Sequence, residues 1–152
     1  MRNFDGFYKG IDLGGWISQC GKNYNDEHYS TFITEKDIEK IASMGLDHVR
    51  MPVDYNVIQT EDGKLIESGM AYIENCVGWC KKHGINIVID LHKTCGYIFD
   101  DPTYCGFFAN EKLQDQFVYL WQEIAKRYGN DEHIAFELLN EITSADFADP
   151  WN

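Results

Sequence analysis

Four polar residues stand at or near the ends of short apolar runs, and their types suit acid and base chemistry on a hydroxyl-rich substrate: Arg50, His92, Asn140 and Glu141. A carboxylic acid such as Glu141 donates a proton to a leaving oxygen, the step that cleaves a glycosidic bond, when its surroundings hold it protonated. Asn140 offers a donor and an acceptor to a sugar hydroxyl. Arg50 has a planar fork of donors that would hold a carboxylate ionised and oriented.

Each of these residues also has a purely structural interpretation. The Asn140–Glu141 pair is compatible with a helix cap, Arg50 taken alone is more often a salt-bridge partner, and His92 taken alone is more often a satisfied buried histidine. Their common placement at strand ends is what favours a site.

The four tryptophans divide by their predicted location. Trp16 and Trp151 fall in predicted loops and are candidates for stacking on a sugar, whereas Trp79 and Trp121 fall in predicted helices, where a core position is expected.

The scaffold expected to position these residues alternates between strand and helix. Apolar runs rich in β-branched residues predict strands at Tyr8–Leu13, Leu46–Val53, Ile85–Leu91 and Ile134–Asn140. Apolar residues at helical spacing predict helices at Glu35–Met44, Met70–His83 and Asn110–Tyr128. Strands that alternate with helices form a parallel sheet covered by those helices.

Residues that typically begin or end helices and strands support these boundaries. Thr34 and Asp37 resemble a capping box, Gly84 is a plausible left-handed helix stop, and Gly14–Gly15 predicts a tight turn after the first strand. Pro52 is expected to close the second strand, because proline lacks the N–H that a central ladder needs. The dinucleotide-binding pattern of glycines is absent after the first strand, which favours a barrel with a catalytic face at the strands' carboxyl ends.

Three acidic residues fall inside predicted strands: Asp12, Asp90 and Glu137. A carboxylate there is costly unless it is paired, and Arg50 is a suitable partner. The sequence therefore predicts a buried network that also fits the floor of an active site.

Composition excludes several partners. The chain has 152 residues, enough for one compact unit, and 25 acidic against 13 basic residues give a formal charge of −12. Nucleic acid is not an expected partner, because its phosphates would be repelled. The apolar runs are too short to cross a membrane, and no export signal is visible, so the location is expected to be cytoplasmic or stays unknown.

Five cysteines form an odd set without paired zinc spacing, which favours reduced thiols in an intracellular protein, although a disulfide between Cys95 and Cys105 stays open. Metal binding by Cys76, Cys80 and His83 is not expected, since an apolar helix face buries cysteine readily.

Five ordered motifs resemble glycoside hydrolase family five: KGIDLGGW (9–16), HYSTFITEKDIEKIA (28–42), DHVRMPVDY (47–55), IVIDLH (87–92) and FELLNE (136–141). The resemblance implies an α/β fold of the (β/α)₈ TIM-barrel family, in which residues 1–152 form the amino-terminal half, about four strands, of a single catalytic domain.

The resemblance also implies a role for each candidate residue. Glu141 would be the acid/base, Asn140 would bind the sugar's 2-hydroxyl, Arg50 would support the nucleophile, and His92 would line the subsite where the glycosyl unit reacts. Trp16, at the end of the first motif, joins the substrate-binding candidates. The family retains anomeric configuration and uses no metal or other cofactor.

The implied nucleophile belongs to a seventh strand, so none is assigned among these residues. Asp12 departs from the asparagine usual before Leu-Gly-Gly-Trp. A β-glucan is the expected substrate, with an endo-β-1,4-glucanase favoured narrowly over an exo-β-1,3-glucanase. We expect the isolated chain to be inactive, because it lacks the nucleophile. We also expect it to self-associate or to need a carboxyl-terminal half, because edge strands and an apolar barrel interior would be uncovered. A catalytically inactive half-barrel that binds glucan or self-associates is the rival hypothesis.

Overall fold

The computed structural model describes residues 5–101 and 103–151. Four strands form one parallel sheet: β1 (Gly10–Asp12), β2 (His48–Asp54), β3 (Asn86–Lys93) and β4 (Ile134–Glu137). Each strand pairs with the next along the chain, in the order β1-β2-β3-β4, as successive strands of a barrel do. All four predicted strands are present.

Within the described ranges, six helices connect or follow these strands: α1 (Asp26–Thr31), α2 (Glu35–Ser43), α3 (Tyr55–Ile58), α4 (Glu67–His83), α5 (Glu111–Tyr128) and α6 (Ala148–Trp151). Short 3₁₀ turns lie at Gly106–Ala109 and Ala145–Phe147. The three long helices, α2, α4 and α5, are the predicted ones. None of the helices in the described ranges is long and apolar enough to span a membrane.

The residues predicted to begin and end the long helices do so. Asp37 accepts hydrogen bonds of 2.8 Å from both the backbone N–H and the hydroxyl of Thr34, which secures the start of α2. Asn110 caps α5 by accepting from the N–H groups of Lys112 and Leu113. Gly84 ends α4 with a φ of +68°, a left-handed conformation that glycine adopts without steric cost.

The two faces of the sheet differ sharply in chemistry. Successive side chains of a strand point to opposite faces. The odd-numbered residues of β2 and β3 are apolar, fully buried and packed in the core shared with α2, α4 and α5: Val49, Met51, Val53, Ile87, Ile89 and Leu91. The even-numbered residues before the strand ends are mostly polar: His48, Arg50, Asn86, Val88 and Asp90. The expectation of an apolar barrel interior is therefore wrong for this half, because its inward residues carry the charged network.

Pro52 lies inside β2 rather than at its end, so the prediction that it closes the strand is wrong. Arg50 accepts from the N–H of Leu13, and the N–H of Asp54 donates to Ile17. The backbone nitrogen of Pro52 points to the same side of β2 as these two backbone groups. On that side, the chain turns away from the sheet between Leu13 and Ile17. The missing N–H of Pro52 therefore interrupts no ladder.

Candidate active site at the carboxyl ends of the strands

Arg50 is the centre of the polar network on the inner face. Its guanidinium donates to Glu137 through Nε at 2.7 Å and Nη2 at 2.8 Å, and to Asp12 through Nη1 at 2.8 Å. Nη2 also lies 2.9 Å from Asp90 Oδ2 and 2.9 Å from Asn140 Oδ1. The network expected from acidic residues inside strands is confirmed, and it joins all four strands of the sheet or their ends.

The charges of this network shift its pKa values in opposite directions. The hydrogen bonds from Arg50 lower the pKa of Glu137, outweighing partial burial, and the same pairing raises the pKa of Arg50. Burial raises the pKa of Asp90, although His92 and Arg50 act against that effect. One guanidinium thus faces three carboxyl groups, with Asp12 half exposed at the edge of the sheet.

His92 lies near the carboxyl end of β3 and is buried, with 6% of its surface exposed. Its Nδ1 lies 2.8 Å from Asp90 Oδ2, and its ring meets Phe99 edge to face at 5.3 Å. The carboxylate fixes the ring and its tautomer, which leaves Nε2 as the atom directed to a ligand. The sequence placed His92 just after the strand, whereas the structure places it within β3.

Asn140 continues alongside β3 after β4 has ended. Its backbone N–H donates to the carbonyl of Leu91 at 3.1 Å, and its side-chain oxygen accepts from Arg50. These two contacts fix the amide, whose residue is 5% exposed. Nδ2 is therefore left as a donor at the ends of two neighbouring strands.

Glu141 follows directly and has an unusual backbone. Its φ is +48°, in the left-handed region that costs a non-glycine residue about 1–2 kcal/mol. The hydroxyl of buried Tyr97 donates to the carbonyl of Glu141 at 2.6 Å and helps to hold this conformation. Strain of this kind persists where surrounding contacts over-determine it, as at many active sites. The residue is exposed, so its carboxyl is accessible.

Three buried polar atoms of this site have no hydrogen-bond partner within the described residues: Asp90 Oδ1, His92 Nε2 and Asn140 Nδ2. A buried polar group without a partner costs about 1–3 kcal/mol. With Nδ1 of His92 donating to Asp90, Nε2 is an acceptor, so the three atoms are one donor and two acceptors. Such a set around one network is suited to a ligand rich in hydroxyl groups. Over the described ranges, no group of three His, Cys, Asp or Glu residues could hold a metal ion.

Trp16 does not belong to this surface, and its assignment as a substrate-binding residue is wrong for this structure. Its side chain is completely buried, its indole N–H donates to the carbonyl of Tyr29 at 2.7 Å, and its ring stacks on Trp79 at 6.1 Å. The loop position predicted from the sequence is correct, but the loop folds the ring into the core.

An exposed aromatic ring close to the loop after the first strand is Phe32, which the sequence did not single out. Phe32 is 49% exposed, lies over the backbone of Gly15, and meets the ring of His28 at 4.6 Å. His28 in turn lies 2.7 Å from the carbonyl oxygen of Gly15 through Nε2. Since Gly15 lies in the loop after β1, Phe32 is an exposed ring beside that loop, at the carboxyl-terminal end of the first strand.

Sequence comparison shows the family to which the chain belongs. A family model described as cellulase (glycosyl hydrolase family 5) matches residues 12–152. The chain is 51% identical over 150 residues to cellodextrinase A of Ruminococcus flavefaciens, covering 97% of this chain and 44% of that protein. It is 49% identical over 149 residues to endoglucanase C of Acetivibrio thermocellus, covering 96% of this chain and 43% of that protein. The chain thus spans less than half the length of these curated relatives.

Structural comparison confirms the fold. A glycoside hydrolase family 5 enzyme from Prevotella bryantii B14 matches with a TM-score of 0.69 and 24% identity, over 91% of this chain and 42% of its own. The four parallel strands and their helices therefore form half of a (β/α)₈ barrel.

Proposed function

The chain belongs to glycosyl hydrolase family 5, the cellulase family, and we propose that it carries the acid/base half of a retaining β-glucan hydrolase of the endo-β-1,4-glucanase type. One observation supports this most directly: Asn140 presents a buried Nδ2 donor, without a partner among the described residues, immediately beside the accessible carboxyl of Glu141. A hydroxyl-binding donor next to a proton donor is what cleavage of a sugar linkage requires.

In this mechanism, Glu141 gives its proton to the leaving oxygen as the bond from that oxygen to the anomeric carbon breaks. A carboxylate from a strand outside these four forms the bond to the anomeric carbon. Water then attacks that carbon, Glu141 accepts the water's proton, and the carboxylate leaves with retained configuration at the sugar. Asn140 Nδ2 and His92 Nε2 hold hydroxyl groups of the reacting unit throughout.

The β-1,4 linkage is proposed from the relatives. A cellodextrinase and an endoglucanase are 51% and 49% identical to this chain, over 97% and 96% of its length. An exo-β-1,3-glucanase is the alternative, and a panel of defined oligosaccharides separates the two by the linkage that disappears.

We further propose that a second segment completes the barrel, either the remaining part of a longer protein or another copy of this chain. The inner face carries three carboxyl groups against the single guanidinium of Arg50, and such a charge surplus favours a partner surface that brings a cation. Edge strands β1 and β4 have ladder groups to pair with it. Sedimentation at micromolar concentration tests self-association, and a compact monomer would exclude another copy as the partner.

The experiment on catalysis uses the 152-residue chain alone and mixed with the part of cellodextrinase A that it does not cover. Hydrolysis of a mixed-linkage β-glucan and an aryl β-cellobioside is measured with Glu141→Gln and with Glu132→Gln, an exposed glutamate at the opposite end of β4. Turnover that Glu141→Gln abolishes and Glu132→Gln retains supports the proposal. Turnover that survives in Glu141→Gln refutes the role of Glu141. No turnover in either sample, with oligosaccharide binding unchanged by Glu141→Gln, favours the non-catalytic half-barrel.

A further inference from the structure

His92 lies at an irregularity in β3. Val53 of β2 pairs with Leu91, but the next residue of β2, Asp54, pairs with Lys93. His92 is therefore an extra residue on β3, the pattern of a β-bulge. Bulges at barrel rims re-aim side chains, and here the extra residue brings Lys93 opposite Asp54, while the imidazole of His92 lies on the same face as Asp90 and contacts it.

The residue opposite this bulge, Asp54, is a completely buried carboxylate. It accepts hydrogen bonds from the Ser18 hydroxyl at 2.7 Å, from the Gln19 N–H at 3.1 Å and from the Tyr24 hydroxyl. Its Oδ2 also lies 3.4 Å from Nζ of Lys93. The loop after β1 and the end of β3 are thus tied to one carboxylate.

Lys93 is the charged partner in this arrangement. A buried carboxylate is costly unless a cation compensates it, and within the described residues the ion pair of Asp54 is with Lys93. The side chain of Lys93 is itself only 18% exposed, so it is held along the protein rather than extended into solvent. Removing either partner would leave the other charge buried without compensation.

Two constraints therefore act on either side of His92. Asp90 holds the ring through Nδ1, and the Asp54–Lys93 ion pair holds the backbone immediately after it. A bulged residue lacks a ladder partner of its own, so its backbone depends on such neighbouring contacts.

We propose that Asp54 and Lys93 are positioning residues whose ion pair locks the β-bulge and thereby sets the orientation of the His92 imidazole in the active site. This deepens the proposed function by adding two residues that act through His92. It rests on that function only in treating His92 as a ligand-facing group, and its test requires no turnover.

The test is ¹⁵N–¹H long-range NMR of the imidazole rings in the folded 152-residue chain, with His92 assigned from a His92→Gln variant. The two ring-nitrogen shifts report the tautomer and the Nδ1 contact with Asp90. Lys93→Met is expected to move the His92 shifts most of the way to those of an unconstrained histidine, and Lys93→Arg is expected to restore them.

Lys81→Met is the matched control, because it removes an ion pair with Asp131 at the amino-terminal end of the sheet. It should leave the His92 signals unchanged. If Lys93→Met lowers stability but keeps His92 shifts of the wild type, the ion pair is merely structural and the proposal is overturned. If Lys93→Met does not fold, the double variant Asp54→Asn/Lys93→Met removes both charges, and unchanged His92 shifts in that variant overturn the proposal equally.

Discussion

Nη2 of Arg50 donates to Oδ1 of Asn140 over 2.9 Å, and this contact decides which end of the amide a ligand meets. Because the oxygen is occupied by the guanidinium, the Nδ2 donor is left for the ligand. The same guanidinium is held by Asp12, Asp90 and Glu137, so the amide is oriented by a network that connects the strands. Preorganisation of this kind lowers the cost of binding.

Asn140→Asp is expected to impair hydrolysis by the completed barrel, because it keeps an oxygen for Arg50 but replaces the Nδ2 donor with a second oxygen. Loss of one such hydrogen bond, about 1–3 kcal/mol, corresponds to a fall in kcat/KM of about 5- to 150-fold. The measurement is kcat/KM on the aryl β-cellobioside, with exposed Asn130→Asp as control. A wild-type kcat/KM in Asn140→Asp would rule out the donor role.

Much of this arrangement is visible in the sequence. The alternation of apolar runs and helical patterns predicts all four strands and the three long helices. Parallel strands bring their carboxyl ends to one edge, so residues at those ends, including Arg50 and Asn140, are expected to meet. The pairing of Arg50 with acids inside strands also follows from the cost of a buried charge.

Other features depend on contacts that no local pattern encodes. Helices α1, α3 and α6 have at most six residues, too few to show a helical period. Trp16 occupies a loop, yet the loop buries it against Trp79, which is a property of the tertiary fold. The bulge at His92 depends on how β3 aligns with β2, and register is fixed by the whole sheet.

Glu137 is expected to stabilise the fold in a pH-dependent way. Arg50 lowers its pKa below the ordinary value near 4.5, so the folded state favours the ionised form. The resulting stability is complete above that ordinary value and is lost as the pH falls through the lower pKa of the folded state. The difference in unfolding free energy between wild type and Glu137→Gln, measured in urea from pH 7 to pH 3, should therefore shrink in acid.

Asp90 is expected to show the opposite pH dependence in the same experiment. Burial raises the pKa of Asp90, so the folded state holds its proton more tightly than the unfolded state does. The stability from this group therefore declines as the pH rises from the unfolded-state pKa to the higher pKa of the folded state. The wild-type advantage over Asp90→Asn should therefore grow in acid. A difference for Glu137→Gln that stays constant or grows in acid would contradict the assigned direction.

Replacing Glu141 with glycine is expected to relieve backbone strain. The φ of +48° costs an L-residue about 1–2 kcal/mol, whereas glycine adopts it freely but loses more chain entropy on folding. Glu141→Gly should therefore be about 1 kcal/mol more stable than Glu141→Ala, which keeps the strain and also lacks the carboxyl. Urea unfolding of both variants measures the difference. Equal stabilities would mean that the left-handed conformation is not maintained in solution.

Phe32, rather than Trp16, is expected to stack on a bound glucan. Its ring is 49% exposed beside Gly15 in the loop after β1, whereas Trp16 has no exposed surface. Phe32→Ala should weaken cello-oligosaccharide binding by about 5- to 10-fold, the equivalent of about 1–1.5 kcal/mol for an aromatic contact, and Phe32→Tyr should preserve it.

Titration calorimetry of the completed barrel with cello-oligosaccharides measures this effect. Tyr119→Ala is the control, since that ring is 42% exposed on helix α5 and is not among the residues of the site. Trp16→Phe should instead lower the unfolding free energy by about 1–3 kcal/mol, because it removes a buried hydrogen bond and reduces ring packing. Equal affinity losses in Phe32→Ala and Tyr119→Ala would show that Phe32 is not part of the glucan-binding surface.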